Sequence, residues 1–318
     1  MREELNYEKP ISRRLEKGQG EAYVFENFHQ IGFKIEEMPE LYERLIELAS
    51  MERSHFEDAV KMAQMVDIIW EDLQHDSEIK FDQKELKLAC LFHDIGKSGP
   101  KDANREQRRL VQMIYNTKYF NPKSGKFNIL KGSPKDLTIE EAFEIESQMS
   151  AEEKEKIVTY LKTLTIHRYY PEIKEVKTEE LDPKKHKMID IWREHDYWTW
   201  DLLKGYGNHV VTDDVKKVAS THHALEGHDP AAVDGFISGE NVTLELLDKY
   251  LMITLLDKYQ AWVKRAGISH GEAIKELESQ IKESINAEII DTKVAARFYK
   301  YLKIIEKYDG LPQLINQG

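Results

Sequence analysis

Residues 83–97 read QKELKLACLFHDIGK. Leu86, Ala89, Cys90 and Phe92 recur at helical spacing, so the run predicts an amphipathic helix over about 83–95, with Gly96 as its C-cap. His93 and Asp94 fall at the inward end of that helix, beside the glycine break. Two metal-ligating side chains thus stand where packing alone would use leucine.

Outward from this run the same periodicity continues. Apolar residues recur at helical spacing from Leu41 to Leu73, with Phe56, Ala59, Ala63, Val66, Ile69 and Leu73 in one stripe. Capping boxes predict helix starts at Thr138 with Glu141, Ser150 with Glu153 and Ser269 with Glu272. Further helices are expected from Met188 to about Leu202, from Asp213 to His223 and from Val242 to Val263, followed by two amphipathic helices in the tail. Gly and Pro number only 16 and 9 in 318 residues, and strand-like alternation is almost absent. The expected fold is all-α. Its expected organisation is an N-terminal extension over 1–40, a main domain over 41–265 with insertions near 99–128 and 146–190, and C-terminal helices over 266–318 that close the core.

Composition narrows the chemistry. The net charge of −12 excludes a generally basic nucleic-acid coat, so no duplex nucleic acid is expected as a partner. Cys90 is the single cysteine, which excludes an internal disulfide framework and a cysteine-based zinc site, and fits a reducing, cytoplasmic setting. The opening MREELNYEKP has no apolar h-region, and no stretch nears the roughly 18 apolar residues of a membrane helix. Any metal must therefore be held by His and carboxylate. His55 lies on the face of Ala59, Met62 and Val66. His195 falls among Ile191, Trp192, Trp198 and Leu202, His222 follows Val215, Val218 and Ala219, and His223 is adjacent. Asp257 interrupts the Leu246, Tyr250, Ile253, Ala261 face. A single histidine on an apolar face is usually a hydrogen-bonded core residue. Five helices that each offer an inward ligand type point to a shared centre suited to Fe, Mn, Zn or similar ions.

The run His93-Asp94-Ile95-Gly96-Lys97 resembles the HD superfamily of metal-dependent phosphohydrolases, and HDIGK is similar in particular to its HD-GYP branch. The resemblance extends to His55 with Asp58-Ala59-Val60, to Ile129–Pro134 with Leu137–Glu141, to His195 with Leu202-Leu203-Lys204, to Thr221-His222-His223 and to Leu255–Ala261, and so covers about residues 50 to 265 with insertions. It implies an HD-domain helical bundle and a binuclear centre of His55, His93, Asp94, His195, His222, His223 and Asp257. It implies two divalent ions, iron or manganese first, with Zn, Ni, Mg and Co also compatible. Asp94 would bridge the two, with His55, His93 and Asp257 on one ion and His195 with His222 or His223 on the other. His167, on the Ile157, Leu161, Leu164 face, competes with His195 for its place. After His222-His223 the branch has HHE, DG and GYP, whereas this chain reads Ala224-Leu225-Glu226-Gly227-His228-Asp229-Pro230, and Met51 stands where a third-metal glutamate would be. A GYP-type cyclic dinucleotide substrate is therefore not implied.

Such a centre acidifies a bridging water for in-line attack on phosphorus, so the expected activity is hydrolysis of a nucleotide or other small phosphate ester, with Asp94 and Lys97 catalytic. Between Lys97 and Lys135 ten basic residues face two acidic ones, a tract of +8 that leaves −20 on the remainder of the −12 chain. Lys97, Lys101 and Arg105 are the expected substrate contacts in this tract, and Tyr115, Tyr119 and Phe120 could stack on a base. The competing readings are a di-iron oxygenase similar to inositol oxygenase and a non-catalytic nucleotide sensor. A homodimer is compatible with either enzymatic reading.

Overall fold

A computed structural model of the chain describes residues 17–50, 55–75, 82–115, 184–207, 211–227, 243–266 and 268–316, with residues 120–121, 126–127, 135–136, 150, 165–166 and 182. The described fold is all-α, as the periodicity predicts. Its helices are α1 (Lys17–Gln30), α2 (Pro39–Ala49), α3 (His55–His75), α4 (Gln83–Phe92), α5 (Arg105–Tyr115), α6 (Met188–Lys204), α7 (Asp213–Ser220), α8 (Leu244–Ala261), α9 (His270–Asn286), α10 (Thr292–Glu306) and α11 (Leu311–Asn316). A small antiparallel sheet of three two-residue strands, Phe120–Asn121, Lys126–Phe127 and Lys135–Asp136, lies between α5 and α6. Among the described residues no helix is long and apolar enough to cross a membrane.

Helix α8 explains the architecture. From Tyr250 to Leu256 it is buried on every face, the pattern of a central helix, and it packs against α3, α4, α7, α9 and α10. Apolar residues of α1, α2, α3, α4, α7, α8, α9 and α10 join one core, from Phe28 through Phe92 to Phe298. Two charged residues that α8 buries near its start are paired: Asp248 with Arg297, and Lys249 with Glu85 at 3.0 Å and Asp214 at 2.7 Å. Burying one partner alone would leave an uncompensated charge, so these pairs tie α8 to α10, α4 and α7 in one register.

Boundaries differ from the sequence expectations where local chemistry intervenes. The Leu41–Leu73 periodicity is carried by two helices, α2 and α3. The expected helix over 83–95 ends at Phe92 with His93 as its C-cap, so Gly96 is not the cap; it sits inside a 3-10 turn, Ile95–Ser98. Helix α7 stops at Ser220, three residues short of the expected end, and His222 and His223 lie in the turn beyond it. The Ser269–Glu272 capping box is present: the Ser269 hydroxyl accepts from Glu272 N–H, and the Glu272 carboxylate accepts from Ser269 N–H at 2.8 Å. The helix starts expected at Thr138 and Ser150, and His167 with its apolar face, lie outside the described residues apart from Ser150 and Thr165–Ile166.

Candidate metal centre

The HD turn is held from two sides. From α6, the Thr199 hydroxyl donates to the His93 carbonyl at 2.9 Å and accepts from Gly96 N–H at 3.0 Å. From α2, the buried Arg44 guanidinium donates to Ser98 Oγ at 3.2 Å, Gly99 O at 3.0 Å, Pro100 O at 3.1 Å and Lys101 O at 2.6 Å. Glycine is required at position 96 for space: a Cβ there would overlap the His195 carbonyl oxygen and lie 2.6 Å from Thr199 N. The backbone of the turn thus lies directly on α6, and His93 and Asp94 reach the helix that carries His195.

Around Asp94 the side chains divide into two groups. Its Oδ2 is 3.4 Å from His93 Nε2 and 3.9 Å from His55 Nδ1, and it also accepts from the Lys97 ammonium. Its Oδ1 is 3.5 Å from His195 Nε2 and 3.7 Å from His222 Nε2. Asp257 Oδ1 stands 3.8 Å from His93 Nε2, and His195 Nε2 lies 3.0 Å from Nε2 of both His222 and His223. Ligand atoms of His195, His222 and His223, and of His93, Asp94 and His222, lie close enough together to hold an ion.

The proton inventory shows that this set suits a cation. Nδ1 of His93, His195 and His222 lies 2.7, 3.1 and 2.9 Å from the carbonyls of Cys90, Trp192 and Ala219. A carbonyl can only accept, so each Nδ1 carries its proton and each Nε2 presents a bare lone pair. The His195 and His222 lone pairs then meet at 3.0 Å, an arrangement that a cation between or beside them stabilises. His93 Nε2 and Asp94 Oδ1 are buried with no hydrogen-bond partner among the described residues, as expected of groups that await a ligand. Neutral imidazoles with carboxylates suit iron, manganese, zinc and similar divalent ions.

Electrostatics keep these donors in metal-ready forms. Burial pushes the Asp94 carboxyl up, but His93, Lys97, His195 and His222 outweigh it and hold the group well below its ordinary range. Burial likewise opposes ionisation of Asp257, and Lys258, His222 and His93 reverse it. Burial, then His93, lowers His222 to about 4, and burial, then the neighbouring histidines, lowers His195 and His223 well below the usual imidazole value. At neutral pH Asp94 and Asp257 are therefore anionic, and His195, His222 and His223 neutral.

All seven residues named as ligands, and Lys97, converge here. Lys97 is buried rather than solvent-facing. Of the other cations of the basic tract, Arg108 pairs with Glu47 at 2.8 Å and Glu43 at 3.2 Å, the Lys101 ammonium lies close to Gly205 at the end of α6, and Arg105 is exposed at the start of α5. The Tyr115 ring stands nearly perpendicular to those of His55 and His195, at 6.2 and 5.5 Å between centroids, with the Lys97 ammonium 6.0 Å from its ring centre. Its hydroxyl donates to the Ile191 carbonyl, and Trp192 Nε1 donates to the Ile114 carbonyl at 3.0 Å, so α5 is clasped to α6 as a wall of the site. Tyr119 lies outside the described residues. Thr199 and Arg44 are absent from the sequence reading, although Thr199 stands four residues after His195 on the same face and Arg44 interrupts the apolar stripe of Leu41, Leu45 and Leu48.

No curated protein and no solved structure matches the chain. His195, His222, His223 and Asp257 lie C-terminal to the one segment that a family model recognises. That segment, residues 55–164, about a third of the chain and the part that contains His55, His93, Asp94 and Lys97, matches the family model described as HD domain and supports placing it in the HD-domain superfamily.

Proposed function

We propose that the chain is a metal-dependent phosphohydrolase that cleaves a nucleotide or another small phosphate ester, and that within the HD superfamily it stands nearest the HD-GYP branch without the GYP motif. The observation that carries this reading is the division around Asp94: one carboxylate oxygen faces His93 and His55, the other faces His195 and His222. A bridging carboxylate between two histidine groups is the donor set for two ions, with Asp257 completing the first group and His223 the second. Bound there, two divalent ions, iron or manganese first, supply Lewis acidity, lower the pKa of a water and neutralise charge on phosphorus. Lys97 holds a positive charge beside Asp94, on a long stem that needs no fixed fork geometry to meet a non-bridging phosphate oxygen. Tyr115 walls off the flank between His55 and His195 and keeps water from that side.

The test is an assay of the purified chain with Mn(II) and Fe(II) against aryl phosphates, nucleoside monophosphates and phosphodiesters. Metal-dependent hydrolysis is expected, abolished in Asp94→Ala and lowered about 10²-fold in kcat/KM in Lys97→Met. Hydrolysis that survives in Asp94→Ala refutes the metal mechanism. Absence of hydrolysis with oxygen uptake on a polyol or phosphonate refutes the hydrolase reading in favour of an oxygenase.

A further inference from the structure

Three of the histidines around Asp94 are oriented by the backbone, and His223 by a side chain. His93, His195 and His222 each hold the Nδ1 proton on a carbonyl three residues back, a partner that almost any sequence would provide. His223 lies past the end of α7, and its Nδ1 is 2.7 Å from Glu226 Oε2 and 3.1 Å from the Lys258 ammonium. These neighbours ask for opposite tautomers. A carboxylate accepts from Nδ1–H and leaves Nε2 bare; an ammonium only donates, which requires a bare Nδ1 and moves the proton to Nε2. Nε2 stands 3.0 Å from His195 Nε2, whose bare lone pair accepts any proton held there, so Nε2–H sides with the ammonium and removes His223 from any shared ion.

The local backbone places Glu226 for this contact. Residues Ala224–Glu226 form a 3-10 turn capped by His223, and in a 3-10 turn the side chains at i and i+3 eclipse. Gly227 follows with φ of 77°, a left-handed conformation that ends the turn without Cβ strain. Lys258, one residue beyond Asp257 on α8, ion-pairs with Glu226 Oε1. The carboxylate thus engages the ammonium through one oxygen and the imidazole through the other.

We propose that Glu226 is a positioning residue that selects the metal-binding tautomer of His223 by accepting its Nδ1 proton in competition with the Lys258 ammonium. The proposal rests on the reading of His223 as a metal ligand. A carboxylate behind a ligating imidazole fixes its orientation and raises its basicity, and loss of such a partner lowers metal affinity about 10- to 100-fold. Lys258 gives this case a signature of its own. Removing Glu226 alone leaves the ammonium to hold the proton on Nε2, whereas removing both relieves that bias and lets an ion compete for Nε2.

The experiment uses the full metal-free chain. Long-range ¹H–¹⁵N NMR reads the His223 tautomer directly, and calorimetric titration with Mn(II) reads affinity. Wild type is expected to show Nδ1–H, and Glu226→Ala to show Nε2–H with a 10- to 100-fold weaker second Mn(II) site. Glu226→Ala/Lys258→Met is expected to recover most of the affinity lost in Glu226→Ala. Wild type that binds no Mn(II) refutes the metal-centre reading. Wild type that binds two ions, with tautomer and affinity unchanged in Glu226→Ala, or with the double variant no better than the single, overturns the role of Glu226 alone.

Discussion

Replacing Thr199 by valine removes one hydroxyl from a fully buried position and little else. That hydroxyl satisfies two backbone groups of the HD turn, the His93 carbonyl at 2.9 Å and Gly96 N–H at 3.0 Å. Thr199 is 0% exposed, so water does not take over either bond. A buried polar group left unpaired costs about 1 to 3 kcal/mol, so the two together cost about 2 to 6 kcal/mol. For a chain of this size each kcal/mol lowers the melting temperature by roughly 1.5 °C, which gives a fall of roughly 3 to 9 °C. Thr199→Ser keeps the hydroxyl and loses only a methyl group, at a cost of about 1 kcal/mol. Differential scanning calorimetry of the three proteins without metal separates the hydroxyl from the packing. Metal titration should follow the same order, because the bond holds His93 and His195 in register. A Thr199→Val melting temperature within 2 °C of wild type, or a Thr199→Ser protein as unstable as Thr199→Val, would refute the clamp.

Other perturbations have equally definite outcomes. Gly96→Ala drives a Cβ into the His195 carbonyl and should abolish metal binding or soluble expression, whereas alanine at the exposed Gly18, where nothing lies within 4 Å, should be silent by the same two measures. Arg44→Met releases the carbonyls of Gly99, Pro100 and Lys101 and should cost about 2 to 3 kcal/mol in urea denaturation; an unchanged midpoint would contradict it. The metal-free chain should lose stability on acidification. His222 titrates near 4 when folded, below its ordinary 6.5, so the unfolded chain takes up the proton first. Its contribution is therefore complete above about pH 6.5 and is lost as pH falls through the window down to about 4, by roughly 3 kcal/mol. Urea midpoints that stay flat or rise between pH 7 and 4.5 would contradict that sign.

The sequence carries the helices and the ligand types because both are local. Helical periodicity and the burial cost of an unpaired imidazole are visible in His55, His93, His195, His222 and Asp257 one element at a time. What joins them is not local. The Gly96 contact with α6 spans about a hundred residues, so a glycine that reads as a helix cap is in fact a point of backbone contact. Arg108 reads as part of a basic tract, yet it is committed to Glu43 and Glu47 of α2, which lie sixty residues away in the chain. Tyr115 reads as a base-stacking candidate, and its ring already packs nearly perpendicular to His55 and His195. The two-residue strands are too short for any alternating pattern to register.

The central claim is that Asp94 joins two ion sites through its two oxygens. Crystals grown with Mn(II), measured near the manganese edge, test it most directly by anomalous difference density. Two peaks are predicted per chain, one beside Asp94 Oδ2 within reach of His93, His55 and Asp257, the other beside Oδ1 within reach of His195, His222 and His223. A single peak, or peaks that do not contact Asp94, would contradict the account.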